Sequence, residues 1–222
     1  MNKVHYGVGV LLLLLFDIFL IYEGFYIAKS AFMHYANYGW TFIGIAGFLL
    51  LHHHTRSHWE WFKTFTHELT HIIAGAFFLR KVHSFHADES TGEVQTSGNS
   101  RGLIFSILAP YCLPIFTYLF LLIRCIVSYN HLWICDLLLG ASVAFHAVCF
   151  KEQTGNHQTD ILSYPSILSY HYIWTFRMFN LLIILLALLK SNGEFRQLFG
   201  AFQYLIVNFW RDLCHWVTFI FT

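Results

Sequence analysis

Long stretches without a charged side chain dominate the pattern of hydrophobic and polar positions along this chain. No Asp, Glu, Lys or Arg occurs in residues 30–55 or in residues 102–123. Each stretch is longer than the ~20 apolar residues that a helix needs to cross a bilayer. The pattern over the whole chain predicts about six apolar helices, at residues 4–27, 39–53, 59–79, 102–127, 132–150 and 165–189.

Three local features modify this picture of an all-α membrane bundle. Residues 81–97 alternate in character with a period of two around the turn Ser90-Thr91-Gly92, which predicts a short β-hairpin at about 82–96. A lone hairpin is marginally stable, so we expect it to be docked against helices near the active site. Pro110 and Pro114 are expected to kink the fourth helix. Residues 195–221 show the pattern of an amphipathic helix on the membrane or along the bundle.

The composition indicates an integral, multi-pass membrane protein with a single domain, residues 1–222. Hydrophobic residues make up 57% of the chain and charged residues only 11%, whereas soluble domains carry about 25% charged residues. A net charge of +1 without a basic tract predicts no nucleic-acid partner and leaves the lipid bilayer as the surroundings. Lys and Arg divide almost evenly between the two sides of the predicted bundle, so the orientation stays open, as does the oligomeric state.

The motif with the clearest chemistry is His67-Glu68-Leu69-Thr70-His71, a His-Glu-x-x-His sequence inside the third predicted helix. Positions i and i+4 of a helix lie on one face, so both imidazoles can bind one Zn²⁺ at ~2.0–2.1 Å. Glu68 can then take a proton from a zinc-activated water and pass it to a leaving amine. Ionisable groups inside an apolar helix are expensive, which favours a metal site over two histidines with a structural role.

A catalytic zinc ion needs a third protein ligand, and the sequence offers several. Asp160 ends the polar segment 155–160 between two apolar helices, where irregular backbone should line a cavity. Its other possible role is to cap the next helix. In the same segment, Asn156 is a candidate donor to a developing oxyanion or a simple turn residue, and His157 is a candidate substrate contact. The remaining candidates for the third ligand are Asp17, Glu23, Asp136, His146 and His157.

Taken in order along the chain, these motifs resemble the site-2 protease family of intramembrane zinc metallopeptidases, and most closely its compact bacterial-type branch. The resemblance covers about residues 59–165, the expected catalytic core. It is carried by the His-Glu-x-x-His motif, the hairpin, the sequence Ala109-Pro110-Tyr111-Cys112-Leu113-Pro114 and residues 156–160. The last of these departs from the family's Asn-x-x-Pro and Leu-Asp-Gly pattern, because Thr159 and Ile161 flank Asp160 and no proline intervenes.

The resemblance implies a function and a set of residue roles. His67, His71 and Asp160 would be the ligands of one zinc ion per chain, and Glu68 would be the catalytic base. The expected activity is hydrolysis of peptide bonds in or near the transmembrane segments of other membrane proteins. The expected location is a bacterial cell membrane.

Two other functions stay open at the level of sequence. The histidine pairs His54/His58 and His83/His86, together with the His-Glu-x-x-His pair, suggest a membrane di-iron oxygenase, although no His-x-x-His-His box occurs. The second alternative is a membrane scaffold that keeps a zinc site without catalysis. A fourth protein ligand that closes the site would favour the scaffold, and two metal ions would favour the oxygenase.

Overall fold

The structure, a computed structural model, describes residues 3–89, 91–98, 102–155, 158–189 and 195–221. It is mostly helical and contains one antiparallel hairpin, as the sequence predicts. The helices are α1 (Lys3–Met33), α2 (Gly39–Thr55), α3 (Glu60–Ala76), α4 (Leu103–Leu108), α5 (Ile115–Arg124), α6 (Leu132–Gln153), α7 (Thr159–Leu162), α8 (Ser166–Leu188) and α9 (Phe195–Phe221). The strands are β1 (Lys81–Ala87) and β2 (Gly92–Ser97).

Three of these helices, α1, α6 and α8, are long and apolar enough to cross a membrane. A fourth span results if α4 and α5 are counted as one bent segment. Helices α2 and α3 have 17 residues each, fewer than a spanning helix normally needs. The described part of the chain therefore contains three or four candidate spans, where the sequence pattern predicts about six.

The fourth predicted helix is broken, which is a larger distortion than the expected kink. After α4, a 3₁₀ turn covers Ala109–Tyr111, and α5 then leaves at an angle of 86°. Pro110 and Pro114 both lie in this connection, where a proline ring excludes the hydrogen bonds that would continue a helix.

Two side chains of α8 bind backbone carbonyls at the break. Arg177 Nε on α8 donates to the carbonyl of Tyr111 at 2.7 Å. Asn180 Nδ2, one turn further along α8, donates to the carbonyl of Cys112 at 2.9 Å. Irregular backbone in apolar surroundings needs such partners, so the position of the bend depends on tertiary contacts.

Close helix packing holds the rest of the bundle together. Gly44 on α2 and Gly140 on α6 let the two backbones touch, since a Cβ on either glycine would run into a carbonyl of the other helix. Small residues commonly mediate such approaches between membrane helices. Helix α9 buries Leu198, Ala201 and Leu205 in the cluster that α1 and α8 also form. Helix α9 thus has the predicted bounds and lies along the bundle.

Candidate metal centre

Helix α3 carries three functional candidates on its buried side. His67 and Glu68 are buried, and His71, one turn later, is half-buried. The two imidazole rings approach edge to face with centroids 5.0 Å apart. The helical period alone accounts for this pair, because residues four apart lie on the same face.

Asp160 completes the cluster, although it lies in α7, far from α3 along the chain. Its Oδ2 atom lies 3.5 Å from His67 Nε2 and 3.2 Å from His71 Nε2. The ligand atoms of the three residues all lie within 4.8 Å of one another. Asp160 belongs to the first turn of α7, and the residue before that helix is Gln158, so Asp160 is not its N-cap. The structure therefore brings Asp160 to the His-Glu-x-x-His pair, as the third-ligand prediction requires.

The separations within the cluster suit a small metal ion. A tetrahedral ion with ligands at about 2.1 Å holds neighbouring ligand atoms about 3.4 Å apart. The two N–O separations, 3.5 and 3.2 Å, are close to this edge length and are longer than a strong charge-assisted hydrogen bond. The three residues could thus hold a metal ion, although the donors alone do not identify the metal.

The hydrogen bond of His71 shows which of its nitrogens faces the site as a ligand. Its Nδ1 lies 2.8 Å from the carbonyl of Ser106 on α4. A carbonyl only accepts hydrogen bonds, so Nδ1 carries a proton, and in the neutral ring Nε2 then presents a lone pair. That lone pair points at the Asp160 carboxylate, an arrangement that needs a proton or a cation between the two atoms. Backbone carbonyls commonly orient metal-binding histidines in this way.

The charge state of Asp160 also favours a cation. Burial alone would raise the pKa of this carboxyl, but the neighbouring imidazoles of His67 and His71 outweigh burial and hold its pKa below the usual range. The side chain is therefore an anion near neutral pH. Helix α7 keeps it in place, because Ile161 is fully buried and its carbonyl accepts a 2.8 Å hydrogen bond from Ser169.

The hairpin covers Glu68, which directly follows His67 on α3. Both strands pack against α3. Gly92, the first residue of β2, lies directly on the Glu68 side chain, and a Cβ at this glycine would come within 2.7 Å of Glu68 Cγ and 2.8 Å of Cδ. The prediction of a hairpin docked near the site is thereby confirmed.

Two residues near the cluster were not recognised from the sequence. The Tyr111 hydroxyl lies 3.1 Å from Asp160 Oδ2, and its ring meets that of His67 edge to face. Arg177 binds the backbone carbonyl of the same tyrosine. The sequence could have pointed to Arg177, because it is the only Asp, Glu, Lys or Arg in the apolar stretch 165–189.

The other described candidates for the third ligand bind elsewhere. Asp136 forms a 2.6 Å ion pair with Arg124, and His146 Nε2 accepts the Phe116 N–H at 3.2 Å. Asp17 contacts Thr175 and His171, and Glu23 accepts a hydrogen bond from Tyr204. Asn156 and His157 lie outside the described residues, so their predicted roles stay predictions.

The additional histidine pairs do not form a second metal cluster in the described residues. His83 contacts Ser97, and His86 pairs with the Asp88 carboxylate at 2.7 Å, both on exposed parts of the hairpin. Among the described residues, the group of His67, His71 and Asp160 is the one that could hold a metal ion. A di-iron centre would need ligands for a second ion close by.

Comparisons with known proteins identify no family for this chain. No family model matches this chain, and neither curated proteins nor solved structures give a match. What can be said of the function therefore rests on the cluster and on the helices that hold it.

Proposed function

We propose that this chain is an intramembrane zinc metallopeptidase of the site-2 protease type. The observation that supports the proposal most strongly is the meeting of Asp160 with the His-Glu-x-x-His pair at ligand spacing. Two imidazoles and one carboxylate are a common ligand set of catalytic zinc sites. A structural zinc site usually has four protein ligands, and the cluster has three among the described residues. This ligand count favours an enzyme over a scaffold.

The residues divide into ligands and a base. His67, His71 and Asp160 would hold the zinc ion, which when bound supplies Lewis acidity to a water and to the scissile carbonyl. Glu68 is adjacent to a ligand in sequence but not itself part of the ligand group. Its carboxylate would accept a proton from the attacking water and deliver it to the amine nitrogen as the peptide bond breaks.

The surroundings of α3 support an apolar protein segment as the substrate. A cavity of about 710 Å³ lies between α3, α5, α8 and α9. Its lining includes Ile73 and Cys112, which are close in sequence to His71 and Tyr111, but none of the three cluster residues. Its wall includes Ile73 from α3, Phe77 directly after α3, and Phe199 and Phe202 from α9. Such a wall suits the aliphatic and aromatic side chains of a transmembrane segment.

We also propose that the protein crosses the membrane about six times, and that α2 and α3 are two of these spans. At 1.5 Å per residue, a helix of 17 residues is about 26 Å long. This is shorter than the ~30 Å hydrocarbon core, so the bilayer would have to thin locally around α2 and α3.

The decisive variant is Glu68→Gln, measured beside wild type in detergent-purified full-length protein. The amide keeps the shape of the side chain but cannot accept the proton, so zinc content should stay at one per chain. Cleavage should fall by about 10²–10⁴-fold. Zinc is measured by mass spectrometry, and cleavage on a set of single-span peptides with helix-breaking residues in the apolar segment. Near-normal cleavage by the variant would overturn the proposed mechanism.

The role of Asp160 is tested separately by Asp160→Asn. If the carboxylate binds the ion, loss of its charge should lower both zinc content and activity. The matched control is Asp212→Asn, an aspartate on α9 away from the cluster, which should retain wild-type zinc. A full zinc complement in the Asp160 variant would assign the third position to another residue.

A further inference from the structure

A tyrosine and an arginine hold the carboxylate side of the metal centre. Tyr111 ends the 3₁₀ turn between α4 and α5, and its side chain is fully buried. Its hydroxyl lies 3.1 Å from Asp160 Oδ2, the same oxygen that faces both imidazoles. A second acceptor, Gln158 Oε1, lies 3.4 Å from this hydroxyl. The ring also packs against His67, with centroids 5.1 Å apart. Tyr111 therefore contacts two of the three cluster residues.

Arg177 connects this tyrosine to the segment that leads to Asp160. Its Nε donates to the Tyr111 carbonyl at 2.7 Å. One terminal nitrogen donates to the Phe150 carbonyl at 3.0 Å and to Thr154 Oγ1 at 2.5 Å. These two acceptors lie at the end of α6, just before the chain continues to Asp160. A guanidinium in a candidate span is expensive, and a fixed fork of donors suits this three-point connection.

We infer that Tyr111 is a positioning residue for the metal centre and that Arg177 holds it in place. The inference rests on the proposed zinc site and deepens it. Helix α7 fixes the main chain at Asp160, but the carboxylate lies at the end of a rotatable side chain, so the direction of its lone pairs needs a partner of its own. By donating to one lone pair of Oδ2, the Tyr111 hydroxyl directs another toward the two imidazoles and favours ligation through that single oxygen. Hydrogen bonds to metal ligands act in this way in other zinc sites.

The test is Tyr111→Phe, which removes one hydroxyl and leaves the ring that packs against the core. Zinc affinity of the detergent-purified full chain is measured by competition with a chromophoric chelator, without any substrate. We expect the dissociation constant to rise about 10–100-fold. The visible spectrum of the cobalt-loaded protein should change as well, because the arrangement of the ligands is altered.

The matched control is Tyr118→Phe, on the same broken segment. The Tyr118 side chain is half-buried and its hydroxyl is also hydrogen-bonded, but to Asn180 and not to the metal cluster. This variant should keep zinc affinity within about threefold of wild type and leave the cobalt spectrum unchanged. Arg177→Lys cannot make all three connections, so its zinc affinity should fall in the same direction as that of Tyr111→Phe.

The possible outcomes separate this inference from the proposed function. Wild-type zinc affinity in Tyr111→Phe overturns the positioning role and leaves the peptidase proposal standing. Equal losses in the two tyrosine variants also overturn it, since any buried hydroxyl would then have the same effect. If wild type itself binds no zinc, both proposals fail together.

Discussion

Gly92 provides a way to move the proposed catalytic base without touching the ligands. The glycine lies directly on the Glu68 side chain, and a Cβ placed there would be 2.7 Å from Cγ and 2.8 Å from Cδ. Carbon atoms in ordinary contact are about 3.5–4.0 Å apart. The variant Gly92→Ala must therefore displace the Glu68 side chain, or the strand above it, by about 1 Å.

The fold should tolerate this substitution. Gly92 is not among the glycines with positive φ, so alanine is compatible with its backbone. The atoms that a Cβ would meet belong to one flexible side chain, which can shift. A displacement of about 1 Å in a reacting group can lower a rate by about 10²-fold, which corresponds to about 2.7 kcal/mol in the activation free energy.

The assay is kcat on a cleaved single-span peptide, measured together with zinc content and thermal unfolding. Gly92→Ala should lose about 10²-fold in kcat and keep one zinc per chain. The matched control is Gly47→Ala on α2, where a Cβ would meet no atom within 4 Å, and this variant should behave as wild type. A Gly92→Ala protein with wild-type kcat would refute the idea that the hairpin fixes the base.

Two further predictions concern the hairpin and the buried ion pair. Proline substitutions on the outer edge of the hairpin 82–96 should slow peptide cleavage with zinc content intact, if the substrate adds as a strand to that edge. Unchanged cleavage would exclude such pairing. Asp136→Asn removes the carboxylate 2.6 Å from buried Arg124 and should lower the free energy of unfolding in detergent by about 3–5 kcal/mol. Disruption of the exposed pair Arg211–Asp212 should change it by less than ~1 kcal/mol, and equal effects would contradict the reasoning.

Local periodicity let the sequence determine one half of the candidate site. His67 and His71 had to share a face once their segment became helical, because a helix repeats every 3.6 residues. The hairpin and the C-terminal helix followed from the same kind of reasoning, since alternation and helical spacing are properties of neighbouring residues. The hairpin and α9 therefore appear at nearly the predicted positions, with α9 at the predicted residues.

The other half of the site was decided by contacts between distant segments. The sequence offered six candidates for the third ligand, and the packing of α7 against α4 and α8 selects Asp160 among the described ones. The prolines indicated a distortion near Pro110, but the 86° bend depends on hydrogen bonds that Arg177 and Asn180 donate from α8. Such partners lie far away in sequence, and no local pattern encodes them. Sequence thus determined which groups could act, and tertiary structure decided which of them meet, because ligation requires atoms within a few ångströms.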